Sequence, residues 1–128
     1  MAYYFNKTID LSFEDAIVRV TEELKKEGFG ILTEIDVQQA MKKKLGVDFK
    51  KYRILGACNP PFAYQALQIE EKIGTMLPCN VIVLETDDGK VEVSAVDPIA
   101  SMQAVKNQKL LAVANQVREK LKKVIAGL

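Results

Sequence analysis

The dipeptide Asp88-Gly89 is the feature that most constrains the fold, because it lies between two segments rich in β-branched residues. The first segment covers residues 79–86, and the second, residues 91–95, places its apolar side chains at alternate positions. An Asp-Gly pair between such segments is typical of a tight hairpin turn. The sequence therefore predicts an antiparallel pair of strands and disfavours a purely parallel, doubly wound sheet.

Three strand–helix units precede this hairpin. Alternating apolar residues predict strands over 3–9, 29–35 and 52–58, and apolar residues at helical spacing predict helices over 13–27, 37–45 and 60–73. Ser12 and Asp36 fit the N-caps of the first two helices, and Asn59 with Pro60 fits the start of the third. Each helix ends at a glycine in this prediction: Gly28, Gly46 and Gly74.

The clearest amphipathic element is a long C-terminal helix, which follows a turn or short helical segment at Asp97-Pro98. One face of that helix carries Leu110, Val113, Val117, Leu121, Val124 and Leu128. The element order predicts an α+β fold: a two-layer sandwich with a curved, mainly antiparallel sheet covered by helices. The length of 128 residues, 48% of them apolar, predicts one α/β domain over residues 1–128.

Composition excludes several function classes. The chain has no histidine, which excludes Ser-His-Asp triads and every other mechanism that needs an imidazole. Its net charge is +1, so we expect neither nucleic acid nor an anionic membrane as a partner. The sequence shows neither a secretory signal nor an apolar stretch of membrane-spanning length. We therefore expect a cytoplasmic protein with reduced cysteines.

The dipeptide Cys-Asn occurs twice, as Cys58-Asn59 before a predicted helix and as Cys79-Asn80 at the start of a predicted strand. A helix N-terminus stabilises a nearby thiolate, so Cys58 is the better candidate for a reactive thiol with a lowered pKa. The alternative is that both cysteines are small buried side chains and that Asn59 only caps the helix. If the third and fourth strands pair antiparallel, both cysteines lie at one end of the sheet and become candidate ligands for zinc or copper.

Glu34 and Asp36 form a second candidate site. Two residues apart in a strand, they share one face, where their carboxylates are suited to bind a cation or to act as acid and base. The alternative is that Asp36 caps the following helix and Glu34 pairs with a lysine.

Four segments together resemble the domain-of-unknown-function 302 family: Gly28-Phe29, residues 33–37, residues 52–60 and residues 73–81. The resemblance spans nearly the whole chain and implies a compact α/β domain with a TATA-binding-protein-like sheet, usually found as a homodimer. It does not imply DNA binding, because such sheets serve unrelated functions. The family has no established activity, but its recurring motifs match candidate site residues here: Glu34, Asp36, Cys58, Asn59, Pro60, Pro78, Cys79 and Asn80.

Three hypotheses follow. We first expect a homodimer whose small pocket binds a small molecule or a soft metal ion near Cys58, Asn59, Cys79 and Asn80. The second hypothesis is a cysteine-dependent or redox enzyme that uses Cys58, with Glu34 or Asp36 as proton carrier in place of histidine. The third is a purely structural or partner-binding module.

Overall fold

Five strands form one sheet in the computed structural model, which describes residues 2–128. The strands are β1 (Tyr4–Ile9), β2 (Gly30–Asp36), β3 (Tyr52–Cys58), β4 (Cys79–Glu85) and β5 (Val91–Val96). They lie in the order β1-β5-β4-β3-β2, and every pair of neighbours is antiparallel. The predicted hairpin is the β4–β5 pair.

The helices are α1 (Phe13–Lys26), α2 (Val37–Leu45), α3 (Pro60–Ile69), α4 (Pro98–Ser101) and α5 (Gln108–Ala126), with a 3-10 turn at Glu71–Met76. Two predicted caps are present: the amide of Asp15 donates to the Ser12 hydroxyl, and that of Gln39 donates to the Asp36 carboxylate. None of the helices within residues 2–128 combines the length and apolar character needed to cross a membrane.

Helices α1 and α5 pack on one face of the sheet, which we call the helix-covered face. The main core consists of Val20 and Leu24 of α1, residues 117, 121 and 124 of α5, and strand residues that include Leu55, Val81, Val83 and Val93. The predicted stripe of α5 is buried from Leu110 to Val124. Helices on one face of an antiparallel sheet confirm the predicted α+β sandwich.

Helix α3 is shorter than predicted, since it ends at Ile69 rather than at residue 73. Glu70 has extended backbone angles (φ −142°, ψ 101°), and the 3-10 turn follows. Distant residues explain this end. The side-chain nitrogen of Asn107 donates to the Ile69 carbonyl at 3.3 Å, and Ile73 packs in a second cluster with Met102. Tertiary packing therefore overrides the local helical pattern.

Strand β2 contains a β-bulge. Ile31 pairs with Ala57 and Thr33 pairs with Gly56, so Leu32 is an extra residue without a partner on β3. An extra residue reverses the faces of all residues that follow it. The regular alternation predicted over 29–35 is therefore wrong from Leu32 onwards.

The bulge decides where the carboxylates of β2 lie. Glu34 is opposite Leu55 and Asp36 is opposite Arg53, and directly opposed residues share a face. Because Leu55 is buried in the core, Glu34 and Asp36 are on the helix-covered face. Ile35 lies on the other face and is half exposed.

The other face of the sheet, which we call the open face, has a groove of about 430 Å³. By strand register, this face carries Asn6, Tyr52, Ile54, Asn80, Ile82, Leu84, Glu92, Ser94 and Val96.

Candidate functional site

An apolar cavity of about 350 Å³ lies where β3 ends and β4 begins. It is enclosed by this end of the sheet together with α3, α4 and α5. Its walls include Phe29, Phe62, Leu77, Met102, Leu110 and Val113. Within residues 2–128, no charged side chain lines it.

Small side chains and a sharp change of direction create this space. Pro60 and Pro61 start α3 immediately after β3, so the chain leaves the sheet at Cys58. Side chains with little volume then face the gap between the helices and the sheet: Ala57, Ala63, Ala66 and Ala114. Larger residues at these positions would fill the cavity, as they do in a close-packed core.

Cys58 and Cys79 both line the cavity. Cys79 is directly opposite Ala57, the neighbour of Cys58, which puts the two cysteine Cα atoms about 6 Å apart. The antiparallel pairing predicted to bring the cysteines together is confirmed. Cys79 is buried, Cys58 is half buried, and both are free thiols.

Burial raises the pKa of both thiols. The pKa of Cys79 rises to about 11, first because of burial and then because of the nearby Cys58. Burial also raises the pKa of Cys58, so the predicted lowering is wrong. The start of α3 explains the difference, because Pro60 and Pro61 have no amide hydrogens to donate to a thiolate.

Asn59 lines the cavity but does not cap α3. Its side-chain nitrogen donates instead to the carbonyl of Glu27 at the end of α1, at 3.0 Å. Gly28 makes room for this contact: it has φ +87°, and a Cβ there would lie 3.1 Å from that nitrogen. The predicted cap is therefore replaced by a link between two helices.

Asn80 is separated from the other three residues of the Cys-Asn motifs. It follows Cys79 in β4 and therefore points to the open face, where it is exposed and lines the groove beside Ser94 and Val96. The structure thus brings Cys58, Asn59 and Cys79 together around one cavity and leaves Asn80 outside it.

Glu34 and Asp36 lie away from the cavity. Glu34 is opposite a residue three positions before Cys58, about 10 Å along the strand, and Asp36 is about 17 Å along it. The guanidinium of Arg53 contacts both, at 2.5 Å from Glu34 and 3.6 Å from Asp36. The partner of Glu34 is thus an arginine, where the sequence suggested a lysine.

The family model of the domain of unknown function DUF302 matches residues 5–128. The chain belongs to the DUF302 family. The crystal structure of an uncharacterized conserved DUF302 protein from Bacillus stearothermophilus is similar to it, with a TM-score of 0.91, 25% sequence identity and 98% of each chain covered. No curated protein matches the sequence. The predicted family and fold are confirmed.

Cys58, Cys79 and Met102 are the residues with soft metal-binding groups that line the cavity of this DUF302 domain. Across residues 2–128, no three or more cysteine, aspartate or glutamate side chains are grouped to hold a metal ion. Asn59, whose nitrogen is bonded to Glu27, adds no thiolate or imidazole. A structural zinc site takes four such ligands, so a metal would need further ligands from outside this group.

Sequence reasoning missed the helical walls of the cavity in this DUF302 domain. Phe62, Met102 and Val113 come from three different helices, and each fits an ordinary core position. One signal was present: α3 carries alanines at 63 and 66, where a packed helix would have large apolar residues. This signal indicates missing volume but does not distinguish a cavity from close helix packing.

Proposed function

We propose that this protein binds a small, neutral, apolar molecule in the cavity beside Cys58, Asn59 and Cys79. The observation that carries the proposal is an apolar cavity of about 350 Å³ with no charged residue among those that line it within residues 2–128. Small-molecule sites range from about 300 to 1,000 Å³. A cavity of about 150 Å³ binds benzene, so this one, with more than twice that volume, has room for a ligand of roughly two to three aromatic rings or an aliphatic chain of similar volume.

Charge is the property that this cavity selects against. A charged ligand would lose its hydration on binding and gain no ionic partner in return. The amide nitrogen of Asn59 already donates to Glu27. Thiols are weak hydrogen-bonding groups, and those of Cys58 and Cys79 stay protonated because burial raises their pKa.

Fluorescence titration with two related probes tests this proposal. N-phenyl-1-naphthylamine is neutral, and 8-anilino-1-naphthalenesulfonate has the same rings with a sulfonate added. We expect saturable binding of one neutral probe per chain and an affinity at least about tenfold lower for the sulfonate, a difference of about 1.4 kcal/mol. Equal affinities, or no saturable binding of the neutral probe, would contradict the proposal.

Variants that fill the cavity test whether the neutral probe binds there. Ala114 of α5 lines the cavity, whereas Ala112 of the same helix is exposed. We expect Ala114→Phe to weaken binding of the neutral probe at least about tenfold and Ala112→Phe to leave it unchanged. If Ala114→Phe does not fold, Ala63→Phe on α3 gives the same test at a less buried position.

We further propose that the protein is a homodimer whose second copy packs on the open face. The charge distribution supports this. Within residues 2–128, a single charged residue of the strands, Glu92, lies on the open face. The other charged residues of the strands lie on the helix-covered face: Lys7, Glu34, Asp36, Arg53 and Glu85. A sheet face that stays in water usually carries the polar residues. The scarcity of charge on the open face therefore fits a face that a second copy covers.

The size of the open face also supports a dimer. Five strands about 4.8 Å apart and about 20 Å long give roughly 480 Å² of flat area, over half of the about 800 Å² that each partner buries in a typical interface. Light scattering should give the mass of a dimer. Ile82→Asp should yield monomers, and Val18→Asp, on the exposed side of α1, should not. A monomeric wild-type protein would contradict this proposal.

We also propose that the protein is located in the cytoplasm. Both cysteines are free, in keeping with a reducing compartment. If freshly lysed cells are denatured without reductant and in the presence of an alkylating agent, both thiols should be labelled. A disulfide in the protein so treated would argue against the cytoplasm.

A further inference from the structure

Two leucines of the cavity wall are unusual because they are also exposed to bulk solvent. Leu32 is 66% exposed and Leu67 is 43% exposed, yet both line the cavity. A side chain that borders both the cavity and bulk water lies at the boundary between them. The cavity therefore opens between β2, which carries Leu32, and α3, which carries Leu67.

The β-bulge puts Leu32 at this opening. In an unbroken strand, residues 31 and 32 would point to opposite faces. Ile31 packs against the core on the helix-covered face, and the bulge brings the side chain of Leu32 to the cavity on that same side. Bulges often re-aim a single side chain in this way.

Leu67 of α3 lies across the opening from Leu32. It follows the buried Ala66, and its side chain reaches the 3-10 turn at Gly74. Gly74 has no side chain, and a Cβ there would lie 3.9 Å from a methyl carbon of Leu67. Because position 74 is a glycine, the 3-10 turn places no side chain beside this methyl group of Leu67.

We infer that Leu32 and Leu67 form a gate through which a neutral, apolar ligand reaches the cavity. This inference rests on the proposed function. The deep wall, which includes Phe62, Met102 and Val113, sets the affinity for the ligand. The two leucines control how fast the ligand enters and leaves, because their side chains must move apart for it to pass.

Stopped-flow kinetics with N-phenyl-1-naphthylamine test the gate. Removing a barrier speeds association and dissociation by the same factor and leaves the ratio of the two rate constants unchanged. We expect Leu32→Ala and Leu67→Ala each to raise both rate constants at least threefold and to keep Kd within twofold of wild type. Leu32→Trp should slow both steps. Leu45→Ala is the matched control, since Leu45 is an exposed leucine of α2 that does not line the cavity.

The outcomes separate the gate from the proposed function. If the probe binds in the cavity and both alanine variants keep wild-type rate constants, the gate is wrong and the binding function stands. If only dissociation changes, so that Kd shifts, the leucines are ligand contacts and the gate is also wrong. If the wild-type protein does not bind the probe, the proposed function fails and the gate fails with it.

Discussion

The side-chain nitrogen of Asn59 donates a hydrogen bond of 3.0 Å to the main-chain oxygen of Glu27, although the two residues are 32 positions apart in the chain. This bond joins the start of α3 to the end of α1. Asn80, the corresponding residue of the second Cys-Asn motif, is exposed on the open face. The two asparagines therefore have different roles, although a cysteine precedes each of them.

Replacing each asparagine by alanine should separate these roles. We expect Asn59→Ala to lower the free energy of unfolding by about 1–3 kcal/mol, because it leaves the Glu27 carbonyl without this donor. Asn80→Ala should change it by less than about 0.5 kcal/mol. Urea unfolding measures both. Equal losses in the two variants would show that the link to Glu27 does not stabilise the fold.

Thiol reactivity should follow burial. Iodoacetamide should label Cys58 before Cys79, which is buried and has a pKa of about 11. Burial raises the pKa of Cys58 as well, so its labelling rate should increase with pH and show no inflection below about 8.5, the value for a free cysteine. Peptide mass spectrometry gives both rates. A Cys58 inflection at lower pH would favour the cysteine-enzyme hypothesis.

A charge on the buried face of α5 should unfold the protein. Val117 packs in the main core, so Val117→Asp buries a carboxylate without a partner, and we expect it to cost at least about 3 kcal/mol. Leu111 lies on the same helix but is 39% exposed. Leu111→Asp should cost less than about 1 kcal/mol. A Val117→Asp variant that keeps the wild-type melting temperature would be inconsistent with the packing of this helix.

Much of this fold was predictable because its signals are local. The hairpin at Asp88-Gly89, the caps at Ser12 and Asp36, and the apolar stripe of α5 each depend on residues within a few positions of one another. Such short-range patterns act before any tertiary contact forms. They also placed Cys58 and Cys79 at one end of the sheet, given an antiparallel pairing.

Features that depend on distant contacts were not predictable. The bulge at Leu32 appears only in the register of β2 against β3, and the end of α3 at Ile69 depends on Asn107. The partner of Asn59 lies at the end of another helix. The cavity is the extreme case, since its walls come from elements spread over the chain and its volume depends on how closely they approach.

Zinc binding tests the soft-metal alternative. Cys58 and Cys79 have no third cysteine or carboxylate grouped with them within residues 2–128, and burial favours their protonated forms. We expect protein without an affinity tag, loaded with zinc and then dialysed, to retain far less than one zinc per chain, because a protein site for zinc needs at least three ligands. If the wild-type protein retains one zinc per chain and Cys58→Ala does not, the result would support a thiolate zinc site. Ligands from a second copy would then complete that site.

A crystal structure with bound N-phenyl-1-naphthylamine tests the central claim most directly, because it shows where an apolar ligand lies. We expect density for the rings inside the cavity, in contact with Phe62, Met102 and Val113, with Cys58 and Cys79 at one end. Ordered water filling the cavity, or the probe bound only on the open face, would contradict a ligand site at this position.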